Sequence, residues 1–160
     1  MTEIYVDGDA CPVKGEVLRV AERRRLVVHM VSNSGFNARG NPLIRAVMVA
    51  NTPDAADDWI ATRIGPGDVA VTADILLADR CLKAGATVLG PTGRAFTAEN
   101  IGNAMATRDL LAHLRETGES KAHNAAFTDR DRQRFLQALE TMVRAGVSAG
   151  ASAGLSVGEE

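Results

Sequence analysis

The chain has 160 residues, 46% hydrophobic and 24% charged, with a net charge of −2 and a pI near 5.9. That is the size of one domain with a sizeable core, and the charge excludes a strongly cationic nucleic-acid coater while leaving room for a small basic groove. Two cysteines, Cys11 and Cys81, are too few for a disulfide framework, and no apolar run reaches the roughly 18 residues of a membrane helix.

The opening MTEIYVDGDACP has no basic segment ahead of an apolar one, so no signal peptide is expected and the cytoplasm is the expected location. Residues 3–7 (EIYVD) form a short apolar run that predicts a buried strand. Pro12 suits the first turn of a helix, with Val13, Val17, Val20 and Ala21 at helical spacing and Arg23, Arg24 and Arg25 at its end. Those arginines suit either a solvated helix end or a phosphate-backbone patch. Residues 26–31 (LVVHMV) predict a second strand, closed by Ser32-Asn33-Ser34-Gly35, and a loop rich in Gly and Asn leads to a third strand at 45–50. A helix starting at Asp54 places Ala56, Trp59, Ile60 and Ile64 on one face.

Gly65-Pro66-Gly67 ends that helix, and 68–72 (DVAVT) reads as a fourth strand. A Leu- and Ala-rich helix to Ala84 follows, stopped by Gly85, and then a fifth strand at 86–90. Gly90-Pro91-Thr92-Gly93 predicts a turn, and a helix from about Ala98 to Glu116 changes apolar phase between Ile101/Met105 and Leu110/Leu114. Thr128 with Asp131 forms a loose capping box for a last amphipathic helix carrying Phe135, Leu136, Leu139, Met142 and Val143. From Gly146 the Gly/Ala/Ser sequence has no apolar period, so 1–145 is expected to be one α/β domain and 146–160 a disordered tail. Strands alternating with helices predict a mostly parallel five-stranded sheet in a three-layer α/β/α arrangement.

Ligands of such sheets bind beyond the carboxyl ends of the strands. Polar residues fall there after four predicted strands: Asp7 and Asp9; Ser32 and Asn33; Asp54, Asp57 and Asp58; Thr72 and Asp74. Carboxylates gathered without matching cations repel, and a hard divalent cation, Mg²⁺ or Mn²⁺, relieves the repulsion. Zinc is disfavoured, because His29, His113 and His123 lie in separate elements and no Cys-x-x-Cys occurs. The structural alternative is capping: Asp54 and Asp57 suit a helix start, and Thr72 or Asp74 suits the next one. Asp7 and Asp9, flanking Gly8 at the end of a buried strand, are harder to explain that way. Cys11 reads either as a reactive thiol near a helix start or as a small packed residue.

VDGDACPVK (6–14), DAAD (54–57) before Trp59-Ile60, and DVAVTADILLA (68–78) resemble the YaiI/YqxD family of bacterial proteins. So do Arg108-Asp109-Leu110 and Thr128-Asp129-Arg130-Asp131-Arg132, and the resemblance spans about residues 3–144. It implies a PIN-like fold related to metal-dependent nucleases. Asp7, Asp9, Asp57 and Asp74 are then the catalytic acids, and Asp7, Asp9 and Asp74 the metal ligands. Asp54, Ser32, Asn33, Thr72 and Lys14 are secondary candidates. The chain departs from the family at Gly8, where Ala is usual, and in Gly90-Pro91-Thr92-Gly93-Arg94, where the Arg is displaced.

Three functions compete. The first is a divalent-metal-dependent phosphodiesterase acting on RNA or another nucleic acid. The second is a haloacid-dehalogenase-like phosphomonoesterase with Asp7 as nucleophile. Against it, Pro12 leaves no room for the flap, and Lys83 has no acidic pair after it. The third is a non-catalytic module binding nucleic acid or protein.

Overall fold

The computed structural model describes residues 2–36, 38, 40–52, 54–107 and 127–158. Its strands are β1 (Glu3–Asp7), β2 (Val27–Ser32), β3 (Ile44–Met48), β4 (Val69–Val71), β5 (Thr87–Leu89) and β6 (Ala95–Phe96). Its helices are α1 (Lys14–Arg24), α2 (Ala55–Arg63), α3 (Ile75–Lys83), α4 (101–107, where description stops) and α5 (Asp129–Gly158). Gly8–Ala10 form a 3₁₀ turn directly after β1.

The sheet order is β3-β2-β1-β4-β5-β6. The first five strands are parallel, with Tyr5 opposite His29 and Ala70, while β6 pairs antiparallel with β5. The expected five-stranded sheet therefore carries a sixth strand. Its two residues are too short for any period, and the tight turn creates it: Gly90 N–H donates to the Arg94 carbonyl at 2.8 Å and Gly93 N–H to the Gly90 carbonyl at 3.0 Å.

Alternate strand residues face opposite layers. Ile4, Val6, Val28, Met30, Val69 and Val71 pack under α1 and α5, against Val17, Val20, Phe135, Leu139 and Val143. Tyr5, Val31, Ala70 and Val88 pack under α2 and α3, against Ile60, Leu77 and Cys81. Both faces of the sheet are covered, which is why its strands read as continuous apolar runs. Phe135, Leu139 and Val143 are fully buried, so the i, i+4 spacing seen in the sequence marks the inner stripe of α5. Arg23 and Arg24 both reach Glu140 of α5, at 2.6 and 3.1 Å, so these two arginines tie α1 to α5.

The caps follow local chemistry. Thr128 and Asp131 exchange side-chain-to-backbone bonds at 3.0 and 3.1 Å, the capping box expected for α5. Gly85, with φ +90°, ends α3 in a Schellman arrangement: Gly85 N–H donates to Leu82 O and Ala86 N–H to Cys81 O. The backbone of α5 continues to Gly158, through the stretch where composition predicts a disordered tail. Once the buried stripe of α5 has nucleated the helix, propagation adds one hydrogen bond per residue ordered, a term that apolar periodicity does not register. The phase change in the predicted 98–116 helix, Arg108-Asp109-Leu110, His113 and His123 lie outside the described residues. Among the described residues, no helix is long and apolar enough to cross a membrane.

Candidate functional site

The chain leaves β1 toward β2 on one side, and β4 continues to β5 on the other. The strand order therefore reverses between β1 and β4, and the crevice beyond their carboxyl ends is where such sheets bind ligands. Asp7 ends β1 at that crevice, and Thr72 follows the last residue of β4.

Thr72 is 3% exposed and links the two strand ends. Its Oγ1 donates to Asp7 Oδ2 at 3.2 Å and accepts the Asp74 N–H at 3.0 Å. Asp74 in turn caps α3, its Oδ1 accepting the N–H groups of Leu76 at 2.9 Å and Leu77 at 3.3 Å. The capping alternative thus holds for Asp74, with one oxygen committed to the helix. It does not hold for Asp54, which occupies the N-cap position of α2 without a side-chain capping bond.

Asp57, in the first turn of α2, meets Asp74 across the crevice. Burial, the charges of Asp74 and Asp7, and a hydrogen bond to the Asp74 carboxyl push its pKa up to about 7. The Asp7 carboxyl is also raised, first by burial and then by Asp74 and Asp9, with the Thr72 hydroxyl acting in the opposite direction. Among the described residues, no ion pair reaches Asp7, Asp57 or Asp74.

A cleft of about 460 Å³ opens over β1, β2 and β3, lined by Asp7, Asp9, Asp57 and Asp74 together with Asn33, Asn51, Thr52, Val49, Ala50 and Ala56. A smaller cavity of about 220 Å³ lies on the β4–β5 side of the same acids, lined by Asp7, Cys11, Val71, Thr72, Ala73, Asp74 and Pro91. Asp9 stands further out: both of its oxygens accept the Asn33 N–H, at 3.2 and 3.0 Å, and Ser34 Oγ donates to it at 3.4 Å.

The remaining sequence candidates separate from this group. Asp58 turns away and pairs with Arg80 at 2.8 Å. Ser32 is buried and accepts the Gly35 N–H at 3.0 Å, shaping the turn after β2. Lys14 opens α1 and lines neither cavity. Cys11 lines the smaller cavity, its thiol pKa raised chiefly by burial, which favours the packed over the reactive reading. His29 is committed elsewhere, its Nε2 2.6 Å from Glu3 Oε1 and its ring stacked on Tyr5 at 4.4 Å. The sequence reading missed Asn51 and Thr52. Their signal was their place in the loop that leaves the carboxyl end of β3, where ligands of such sheets bind.

An oxygen-only donor set without countercharge is the chemistry that a hard cation takes. Among the described residues, however, no three His, Cys, Asp or Glu side chains already surround one point closely enough to hold an ion. Mg²⁺ is commonly held by one or two carboxylates with water and substrate phosphate, so a closed cage is not required.

Fold and site together define an α/β protein with a carboxylate-lined crevice at the switch point of a parallel sheet. The chain belongs to the YaiI/YqxD family: the family model, described as "Uncharacterized BCR, YaiI/YqxD family", matches residues 5–145. It is similar to a UPF0178 protein of Parvibaculum lavamentivorans, 57% identical over 145 residues that cover 91% of this chain and 95% of that protein. A UPF0178 protein of Rhizobium etli is 59% identical over 145 residues, covering 91% and 94%. One from Rhizobium meliloti is 60% identical over 141 residues, covering 88% and 97%. No solved structure matches the chain at a significant level.

Proposed function

We propose that this protein is a PIN-like, divalent-metal-dependent phosphodiesterase that cleaves RNA or another nucleic acid in the cytoplasm. One observation carries the reading. Three carboxylates from separate elements, Asp7, Asp57 and Asp74, share the switch-point cleft, and no described ion pair offsets them. Such a group costs free energy unless it is used.

Asp7 and Asp74, with Asp9 at the margin, are the residues to hold Mg²⁺ or Mn²⁺. The ion would supply positive charge toward a phosphate and acidify a bound water. Asp57, which lines the cleft beside Asp74, is the residue to accept a proton from the attacking water. Thr72 keeps the Asp7 carboxylate oriented through its 3.2 Å bond.

The phosphomonoesterase alternative fits less well, because only the 3₁₀ turn and three residues separate β1 from α1, leaving no flap over Asp7. The test is cleavage of a labelled single-stranded RNA with Mn²⁺ or Mg²⁺ by the wild type and by Asp7→Asn. Loss of at least about 100-fold in the variant is expected. Equal activity in the two proteins, or no ion binding by calorimetry, overturns the reading.

A further inference from the structure

The larger cleft carries more than carboxylates: Asn33 Nδ2 donates to Asn51 Oδ1 at 2.8 Å, joining the residue after β2 to the loop after β3. That single bond uses one donor and one lone pair. Each amide therefore keeps free hydrogen-bonding capacity, and the pair together offers at least one further donor and one further acceptor. Both side chains are exposed, so that capacity faces the cleft rather than the core.

The walls beside the amides are Val49, Ala50 and Ala56, all small and apolar. A group with an apolar face and a polar edge would meet both kinds of wall, and a volume of about 460 Å³ is in the range of sites for small ligands. Among the described lining residues there is no aromatic ring, so a base held here is recognised at its edge and not by stacking. The Asn33 backbone N–H also holds Asp9, so the amide pair stands directly beside one of the cleft's acids.

We infer that Asn33 and Asn51 form a base-reading pair that seats one unpaired nucleotide of the substrate by its hydrogen-bonding edge, with the attached phosphate directed to Asp7, Asp57 and Asp74. This rests on the phosphodiesterase reading above and adds to it a single-stranded, base-selective substrate. One donor beside one acceptor is met by adenine (N6–H and N1), cytosine (N4–H and N3) or uracil (N3–H and O4), so the order in which the two amides present these groups is what selects among the bases.

The experiment measures fluorescence anisotropy of 5′-labelled rA₆, rC₆ and rU₆ with the full chain, and cleavage of the same oligonucleotides in Mn²⁺. Wild type, Asn51→Ala, Asn33→Ala and Asp7→Asn are compared, with melting curves to establish folding. The wild type is expected to separate the best from the worst oligonucleotide by about 5- to 100-fold in Kd. Asn51→Ala should bring the three within about 3-fold at an unchanged melting temperature, with Asn33→Ala as the second variant. Asp7→Asn should keep the preference while losing cleavage. Equal binding of all three by wild type, or a preference that survives both Asn variants, overturns the inference. Asp7-dependent cleavage without base preference overturns it alone and leaves the phosphodiesterase reading standing. An Asn51-dependent preference with no cleavage overturns that reading and leaves the base site.

Discussion

Thr72 Oγ1 lies 3.2 Å from Asp7 Oδ2, and this one hydroxyl couples the ends of β1 and β4 at the point where the strand order reverses. Because the same oxygen accepts the Asp74 N–H, it ties the Asp7 carboxylate to the Asp74 backbone, two of the four acidic residues that line the cleft. Thr72→Val keeps the shape and removes both bonds. It should cost about 1–3 kcal/mol, mainly from leaving the Asp74 N–H unsatisfied. It should also raise the Asp7 pKa further, since the hydroxyl now favours the charged form. A carboxyl-carbon NMR titration reads the second effect and denaturant unfolding the first.

Stability should depend on pH through Asp57. Its folded pKa, at about 7, is above the ordinary 3.8. The folded state therefore binds more protons between these values, and stability falls as pH rises from about 4 to 7. After discounting for solvent screening of a half-exposed group, the loss is about 1–2 kcal/mol. Asp57→Asn should flatten this slope and raise the melting temperature at pH 7.5 by about 2–4 °C per kcal/mol recovered. Mn²⁺ should raise the wild-type melting temperature at pH 7.5 more than at pH 5, because ligand carboxylates bind ions only when ionised. Calorimetric scans across pH, with and without the ion, test both statements.

Asp74 has two roles that substitution can separate. Asn is as good an N-cap as Asp, so Asp74→Asn should keep the bonds to the Leu76 and Leu77 N–H groups while removing the charge that raises Asp57. Asp74→Ala removes both and should cost about 1 kcal/mol more. Comparing the two by chemical denaturation isolates the cap. An Asp57 titration in Asp74→Asn should show its pKa returned toward the ordinary carboxylate range.

Gly93 is where the β5–β6 turn meets α5. Its φ is +90°, and a Cβ there would stand 2.7 Å from the Arg134 carbonyl carbon. Gly93→Ala should lose about 1–3 kcal/mol to backbone strain alone, with the displacement of α5 added. Gly40→Ala, also at positive φ (+77°) but with nothing within 4 Å of the added carbon among the described residues, should cost only the strain term. The difference between the two in thermal unfolding measures how tightly α5 sits on the turn.

The layered α/β class, five of the strands and the inner stripe of α5 follow from local periodicity, because both faces of this sheet are buried and each helix must cover one of them. The positions of Asp7, Asp9, Asp57 and Asp74 beyond strand ends were also legible, since side chains at such ends necessarily project to one edge. Which acids meet was not. Asp57 and Asp58 are neighbours on one helix, yet Asp57 joins Asp74 and Asp58 pairs with Arg80, a choice made by how α2 packs beside α3. The two-residue β6, the Asn33–Asn51 bond and the bridging Thr72 hydroxyl are likewise contacts between segments distant in sequence. Periodicity carries information about a residue's own element, whereas the partner across a crevice depends on strand order and helix packing, which only the assembled chain defines.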